Sequence, residues 1–173
     1  MSSCKLLISI VSHGQLELVN NLLSDLALCD LEQCIIVVRS NIDEDLQISS
    51  QNLNCTHVKN LRPAGFSSNH NRNFEMKKSK YFAVLNPDLK IIDPQTFQKL
   101  IAIIEDDNKS LVCTRIVNSK GYLEDSARNF PKILEMLKRF CSVKTKKTAP
   151  TAKSTVEKVD WCAGMFHLYP SSL

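Results

Sequence analysis

Asp88 is the residue of this sequence best placed to do chemistry. It closes the triplet Asn86-Pro87-Asp88, directly after the apolar run Tyr81 to Leu85. A carboxylate at the end of a central strand suits a hard divalent cation, Mg2+ or Mn2+, which neutralises a diphosphate while using only one or two protein carboxylates. The same three residue types also favour a plain turn, so the triplet alone leaves both readings open. Three further polar clusters follow short apolar runs: Ser12-His13-Gly14, Arg39-Ser40-Asn41 with Asp43, and Arg62 to Asn73, which contains Gly65, Asn71 and Arg72. Gly65 permits close approach of backbone to a ligand, and Arg72 suits either an anion or an ordinary helix surface. No Gly-rich loop followed by Lys is present, and no G-x-G-x-x-G follows the first apolar run, which argues against P-loop and dinucleotide sites. His57, His70 and His167 lack metal-ligand spacing, and His13 reads as structural. Seven cysteines, an odd number with no C-x-x-C pair, argue against a disulfide framework and a zinc knuckle; most read as buried small apolar residues.

These clusters need elements to hold them. Leu6 to Ser12 and Cys34 to Val38 read as buried strands, with Leu16, Val19, Leu22, Leu23 and Leu26 at helical spacing between them. Arg39 to Asn52 is polar and aperiodic, and Thr56 to Val58 reads as a short third strand. A helix over 67–78 is expected, capped by Ser67 or Ser68 and carrying Phe74 and Met76. Tyr81 to Leu85 reads as a central strand, and Asp93-Pro94 as a helix start ahead of Phe97, Leu100, Ile101 and Ile104. A strand over Leu111 to Ile116, a turn at Asn118 to Gly121, a helix over Pro131 to Phe140, a loop over 141–158 and a strand over Val159 to Tyr169 complete the reading. Strand, helix, strand and then further alternation is the pattern of a parallel α/β sheet, in which ligands sit at the carboxyl ends of strands.

The 173 residues, 43% hydrophobic and 23% charged, suit one globular domain. No stretch has the roughly 18 apolar residues a membrane span needs, and Met1 to Lys5 lacks a basic region and apolar signal core, so a cytoplasmic protein is expected. The net charge of +4 is mild, but residues 138–158 hold seven lysines and arginines against one glutamate. That stretch suits either a solvated loop or contact with anionic lipid or phosphate. No internal repeat is visible.

Six motifs in order carry a family resemblance: the strand ending in Ser12-His13-Gly14; Ile-Val-Val-Arg-Ser-Asn; Arg-Pro-Ala-Gly-Phe-Ser-Ser-Asn-His-Asn-Arg-Asn; Val-Leu-Asn-Pro-Asp-Leu; Ala-Arg-Asn-Phe-Pro; and Val-Asp-Trp-Cys-Ala-Gly-Met-Phe. Together they resemble the family 2 glycosyltransferases of the GT-A fold, most of all the rhamnosyltransferases of bacterial O-antigen (lipopolysaccharide) synthesis. The resemblance implies a Rossmann-like α/β sheet with flanking helices that binds a nucleotide-diphospho-sugar. It implies that Ser12 borders the base, and that Ser40-Asn41 stands where relatives carry Asp-Asn, with Asp43 as a substitute carboxylate. It implies that Gly65, Asn71 and Arg72 form the donor-binding turn, and that Asn86 and Asp88 occupy the D-x-D metal position, Asp88 being the ligand to Mg2+ or Mn2+. Arg128 with Phe130-Pro131, and Asp160-Trp161 with Gly164, match motifs bordering the donor sugar and acceptor cleft; Trp161 is open to a stacking role or, more commonly for a lone Trp in an apolar strand, a core role. The implied partners are dTDP-rhamnose and a lipid-linked oligosaccharide acceptor at the inner face of the membrane, with no nucleic acid. The family's catalytic base is expected beyond Leu173, which suggests a truncated transferase. Two other classes remain: a noncatalytic nucleotide-binding module of the same fold, and a plain α/β domain whose strand ends are only turns.

Overall fold

A computed structural model describes residues 4–46, 52–106, 110–128, 130 and 156–173. The elements in chain order are β1 (Cys4–Ser12), α1 (Leu16–Ala27), β2 (Cys34–Ser40), β3 (Cys55–Lys59), α2 (Phe66–Met76), β4 (Ser79–Leu85), α3 (Thr96–Asp106), β5 (Ala127–Arg128), β6 (Trp161–Cys162) and β7 (Phe166–Pro170). They fall into two compact units, one of residues 1–113 with 164–173 and one of residues 114–163.

The first unit is built on a sheet of order β3-β2-β1-β4-β7, with the first four strands parallel and β7 antiparallel to β4. Strands buried on both faces read as continuous apolar runs, and Leu6, Leu7, Ile8 and Ile10 of β1 are all buried. Neighbours in register show which side chains share a face: Leu7, Val37, Phe82 and Val84 form one apolar cluster with Ile35, Val58 and Tyr169 packed against it. Phe74 of α2 meets Phe82 edge-on at 5.1 Å, which places α2 over that face. On the other face lie α1 and α3, and Asp25 of α1 accepts the N–H of Ile91 in the segment that leads from β4 to α3. The α1 helix buries Val19, Leu22, Leu23 and Leu26; each such side chain contributes about 2 kcal/mol when taken from water. The α3 helix buries Phe97, Leu100, Ile101 and Ile104, with Phe97 tilted on Phe166 of β7 at 5.5 Å.

Several expectations change. The second helix begins at Phe66 with Gly65 as its N-cap, not Ser67 or Ser68, and its buried residues are Asn69, His70 and Asn73, whereas Phe74 and Met76 are partly exposed. The third helix starts at Thr96, two residues after Pro94, although Asp93 does anchor the start by accepting the Gln95 N–H. Leu111 to Ile116 is not a strand: Val112 makes one antiparallel bridge to Leu168, and from Thr114 the chain belongs to the other unit. Val159 to Tyr169 is not one strand but two, β6 and β7, broken at Ala163 to Met165. The turn at Asn118 to Gly121 is present, with Asn118 accepting the Lys120 and Tyr122 N–H groups through its side chain. Cys4 and Cys34 are buried and Cys29, Cys55, Cys113 and Cys162 half-buried, all as free thiols. Trp161 is 46% exposed and is not a core residue. The helix expected over Pro131 to Phe140, Cys141 and the basic lysines Lys144, Lys146 and Lys147 lie outside the described residues.

The second unit contains a ribbon of β5 and β6 and the turn at Asn118. Its packing is local: Ser126 is buried and its carbonyl accepts the Ala163 N–H.

Candidate functional site

The sheet reverses its winding between β1 and β4: β2 and β3 lie to one side of β1, while β4 lies to the other. In open α/β sheets ligands bind beyond the carboxyl ends of the strands at such a point. Four segments leave those ends: Ser12 to Gly14, Asn41 to Asp45, Asn60 to Gly65 and Asn86 to Asp88.

Ser12 is fully buried; its hydroxyl accepts the Gln15 N–H at 3.2 Å and its carbonyl accepts the Asn41 N–H at 2.9 Å. It therefore shapes the turn after β1. Gly14 in that turn has φ +77, a conformation that disfavours side chains, and a Cβ there would sit 3.6 Å from Ile42. Asn41 is buried, and its side-chain oxygen accepts from Asn60, Asn69 and the Ala64 N–H at 2.9–3.0 Å, while its amide donates to the Ala64 carbonyl at 3.1 Å. One amide thus ties the end of β2 to the loop after β3 and to α2. Asp43 is solvent-exposed and ion-paired with Lys59 at 2.8 Å; Lys59 also holds Asp45. The Asp43 and Asp45 carboxylates raise the Lys59 pKa.

The loop over 60–65 delivers Gly65 to the start of α2. A Cβ at Gly65 would meet nothing within 4 Å, so the backbone is open on that side. Among the described residues no side chain caps this helix start, and no acidic residue lies in its first turn, which leaves N–H groups and the positive end of the helix dipole open there. Asn71 and Arg72 are exposed on the same helix.

Asn86 and Asp88 follow β4. Asn86 is half-buried and its N–H donates to the Met165 carbonyl at 2.9 Å; Asp88 is exposed on the turn. Among the described residues no group of three or more His, Cys, Asp or Glu could hold a metal ion. A lone carboxylate beside an amide does not form a cage for a metal on its own, but it fits an Mg2+-like cation that brings phosphate and water oxygens with it.

Arg128, Asp160 and Trp161 belong to the other unit. Asp160 accepts the Phe130 N–H at 2.9 Å and its own N–H donates to the Arg128 carbonyl at 3.1 Å, so it organises the ribbon. Arg128 forms a close ion pair with Asp125 and lies 5.9 Å from the Trp161 ring centroid.

Sequence reasoning misses a buried polar network under α2. Arg39, 7% exposed, donates to Asn73 at 2.6 Å and to Asn60 at 3.0 Å. Asn73 donates to Ser9 at 2.8 Å, and Ser9 lies 2.7 Å from His70 Nδ1. Burial and the nearby His167 push the His70 pKa down to about 4, and burial with Arg72 nearby lowers that of Arg39. The signal was present: Asn69, His70 and Asn73 share one helical face, and Ser9 and Arg39 interrupt otherwise apolar strands.

No protein-family model matches the chain, and no curated protein does. Solved structures do. S. aureus TarS 1-349 in complex with UDP-GlcNAc is 14% identical with a TM-score of 0.58, over 97% of this chain and 46% of that one. The mannosyltransferase PcManGT from Pyrobaculum calidifontis, in complex with GDP-Man and Mn2+, is 12% identical with a TM-score of 0.59, over 69% of this chain and 37% of that one. The fold is that of the GT-A glycosyltransferases, and the chain spans less than half the length of these structures.

Proposed function

We propose that this chain is the nucleotide-sugar-binding part of a glycosyltransferase, with dTDP-rhamnose as donor and a lipid-linked O-antigen oligosaccharide as acceptor. The observation that carries the reading is that a carboxylate at Asp88, after β4, and an open, uncapped helix start at Gly65, after β3, both follow the carboxyl ends of strands in one parallel sheet. A diphosphate needs both kinds of group: N–H donors and a helix dipole for its oxygens, and a cation held by a carboxylate. When bound, Mg2+ or Mn2+ would neutralise the departing diphosphate in an inverting transfer. Asp88 would hold that cation with Asn86 beside it, Gly65, Asn71 and Arg72 would line the diphosphate, and Ser12, Asn41 and Asp43 would shape the nucleoside end. Arg128, Asp160 and Trp161 are assigned to the sugar and acceptor side, with Trp161 exposed enough to stack on a sugar ring. None of these residues is assigned as the catalytic base. That PcManGT is complexed with GDP-Man and Mn2+, and TarS with UDP-GlcNAc, supports a nucleotide-sugar donor and a cation.

We place the protein in the cytoplasm, in peripheral contact with the inner face of the membrane through the basic stretch 138–158. No helix among the described residues is long and apolar enough to cross a membrane. We treat residues 1–173 as one functional domain. Asn86, standing where the family resemblance implies a carboxylate, favours one second reading, a noncatalytic nucleotide-binding module, which would bind without metal. Calorimetric titration with dTDP and dTDP-rhamnose, with and without Mg2+ or Mn2+, separates them. The transferase reading expects cation-dependent binding that falls at least tenfold in Asp88→Ala. Cation-independent binding that survives the substitution supports the module, and no binding by folded protein refutes both.

A further inference from the structure

Arg39 is buried among polar side chains, and none of its partners among the described residues is a carboxylate. Its three contacts are Asn73, Asn60 and the Met76 sulfur, the last at 3.5 Å. Leaving a guanidinium charge in this setting is costly, and Ile35 and Val37 show that apolar side chains fill the same face of β2. What a guanidinium offers and an apolar residue lacks is a rigid planar fork that addresses two acceptors at fixed spacing. Here the two acceptors are the side-chain oxygens of Asn73, in the middle of α2, and Asn60, at the start of the loop that leads to it. Asn60 hands the constraint on: its amide donates to Asn41 at 2.9 Å and Asn69 at 2.7 Å. Asn41 and Asn69 both grip Ala64, the residue before Gly65, through its carbonyl at 3.0–3.1 Å, and Asn41 also accepts its N–H.

We propose that Arg39 is a positioning residue for the donor site: its fork sets the loop over 60–65, and with it the open start of α2, in the place where a diphosphate is bound. The inference rests on the donor reading above. Arg39 touches no substrate in this role; it acts through Asn60, Asn41 and Asn69. Its uncompensated positive charge also favours an anion at the neighbouring helix start.

Arg39→Lys keeps the charge and removes the fork. Two measurements on the full chain test the idea: dTDP affinity by calorimetry, and amide hydrogen exchange at Ala64, whose N–H is held by Asn41. A control, Ile104→Val, weakens packing on the opposite face of the sheet. The expected result is at least tenfold weaker dTDP binding and at least tenfold faster Ala64 exchange in Arg39→Lys, with α1 amides unchanged and with both losses absent from the control. Unchanged Ala64 exchange overturns the proposal, as does accelerated exchange with unchanged affinity. If the wild type itself binds no dTDP, the donor reading fails, and Ala64 exchange still decides whether Arg39 clamps the loop. Should Arg39→Lys not fold, Asn60→Ala carries the same expectations, because it cuts the relay and leaves Arg39 bonded to Asn73.

Discussion

His70 has one ring nitrogen bonded to Ser9 and the other, Nε2, buried without a hydrogen-bond partner among the described residues. The Ser9 hydroxyl accepts from Asn73 and shares a hydrogen bond with His70 Nδ1. Burial, with His167 nearby, disfavours the charged ring and lowers its pKa from 6.5 to about 4. Between those two values the unfolded chain binds more protons than the folded one. The stabilisation is therefore complete above pH 6.5 and is lost as pH falls toward 4, by an amount on the order of 3 kcal/mol. Urea midpoints at pH 7 and pH 4.5 should separate more in the wild type than in His70→Gln; equal separation would show that His70 carries none of the acid sensitivity. Gly65 makes an opposite kind of test. Gly65→Asp supplies the missing cap and a charge suited to the dipole, so the unfolding free energy should rise by roughly 0.5–1 kcal/mol. If the helix start receives a diphosphate, the same carboxylate should weaken dTDP binding at least tenfold. A variant both more stable and fully competent to bind would remove Gly65 from the site. Asp88, Ser12, Asn41 and Gly65 stood out in the sequence because polar residues after apolar runs mark strand ends. The polar positions Arg39, Asn69 and Asn73 were visible too, but the network that joins them through Asn60 was not, because an amide that bonds another amide 9, 19 or 28 residues away leaves no local pattern.

At the level of elements, apolar period was an accurate guide wherever burial was apolar. The α1 and α3 faces and the four parallel strands follow directly from it. It failed at α2, where Asn69, His70 and Asn73 take the buried positions and the two apolar residues Phe74 and Met76 lie at the edge. It failed again over 159–169, where Gly164 and its neighbours interrupt an apolar run that serves two different sheets, the β5-β6 ribbon and the five-stranded sheet. The two helix types should respond differently to truncation. Phe97→Ala removes a ring packed on Phe166 and should cost about 3–5 kcal/mol, read from the denaturant midpoint with little change in nucleotide affinity. A loss below about 1 kcal/mol would mean that α3 contributes little to the core.

On the scale of the whole molecule, the second unit takes in the basic stretch 138–158, but its described residues 114–128 and 156–163 are neither rich in Gly and Pro nor set off by charge. Their ribbon is short, with two residues in each strand, and Ala127 and Arg128 are exposed. Backbone hydrogen bonds open to water exchange readily. Amide exchange at Ala127 and Cys162 should therefore run at least a hundredfold faster than at Ile8 of β1, and equal protection would show a single cooperative unit. The first unit, by contrast, is completed by β7, which pairs Phe166–Pro170 with Tyr81–Leu85. Those partners are about 80 residues apart in the chain, so the contact closes a long loop and is slow to form. During synthesis the β4 edge stays bare until β7 has been made, and an unpaired edge is a template for other chains. A nascent chain stalled before Phe166 should thus recruit chaperones and aggregate more than one that carries Phe166–Pro170, which makes β7 a kinetic safeguard for the sheet.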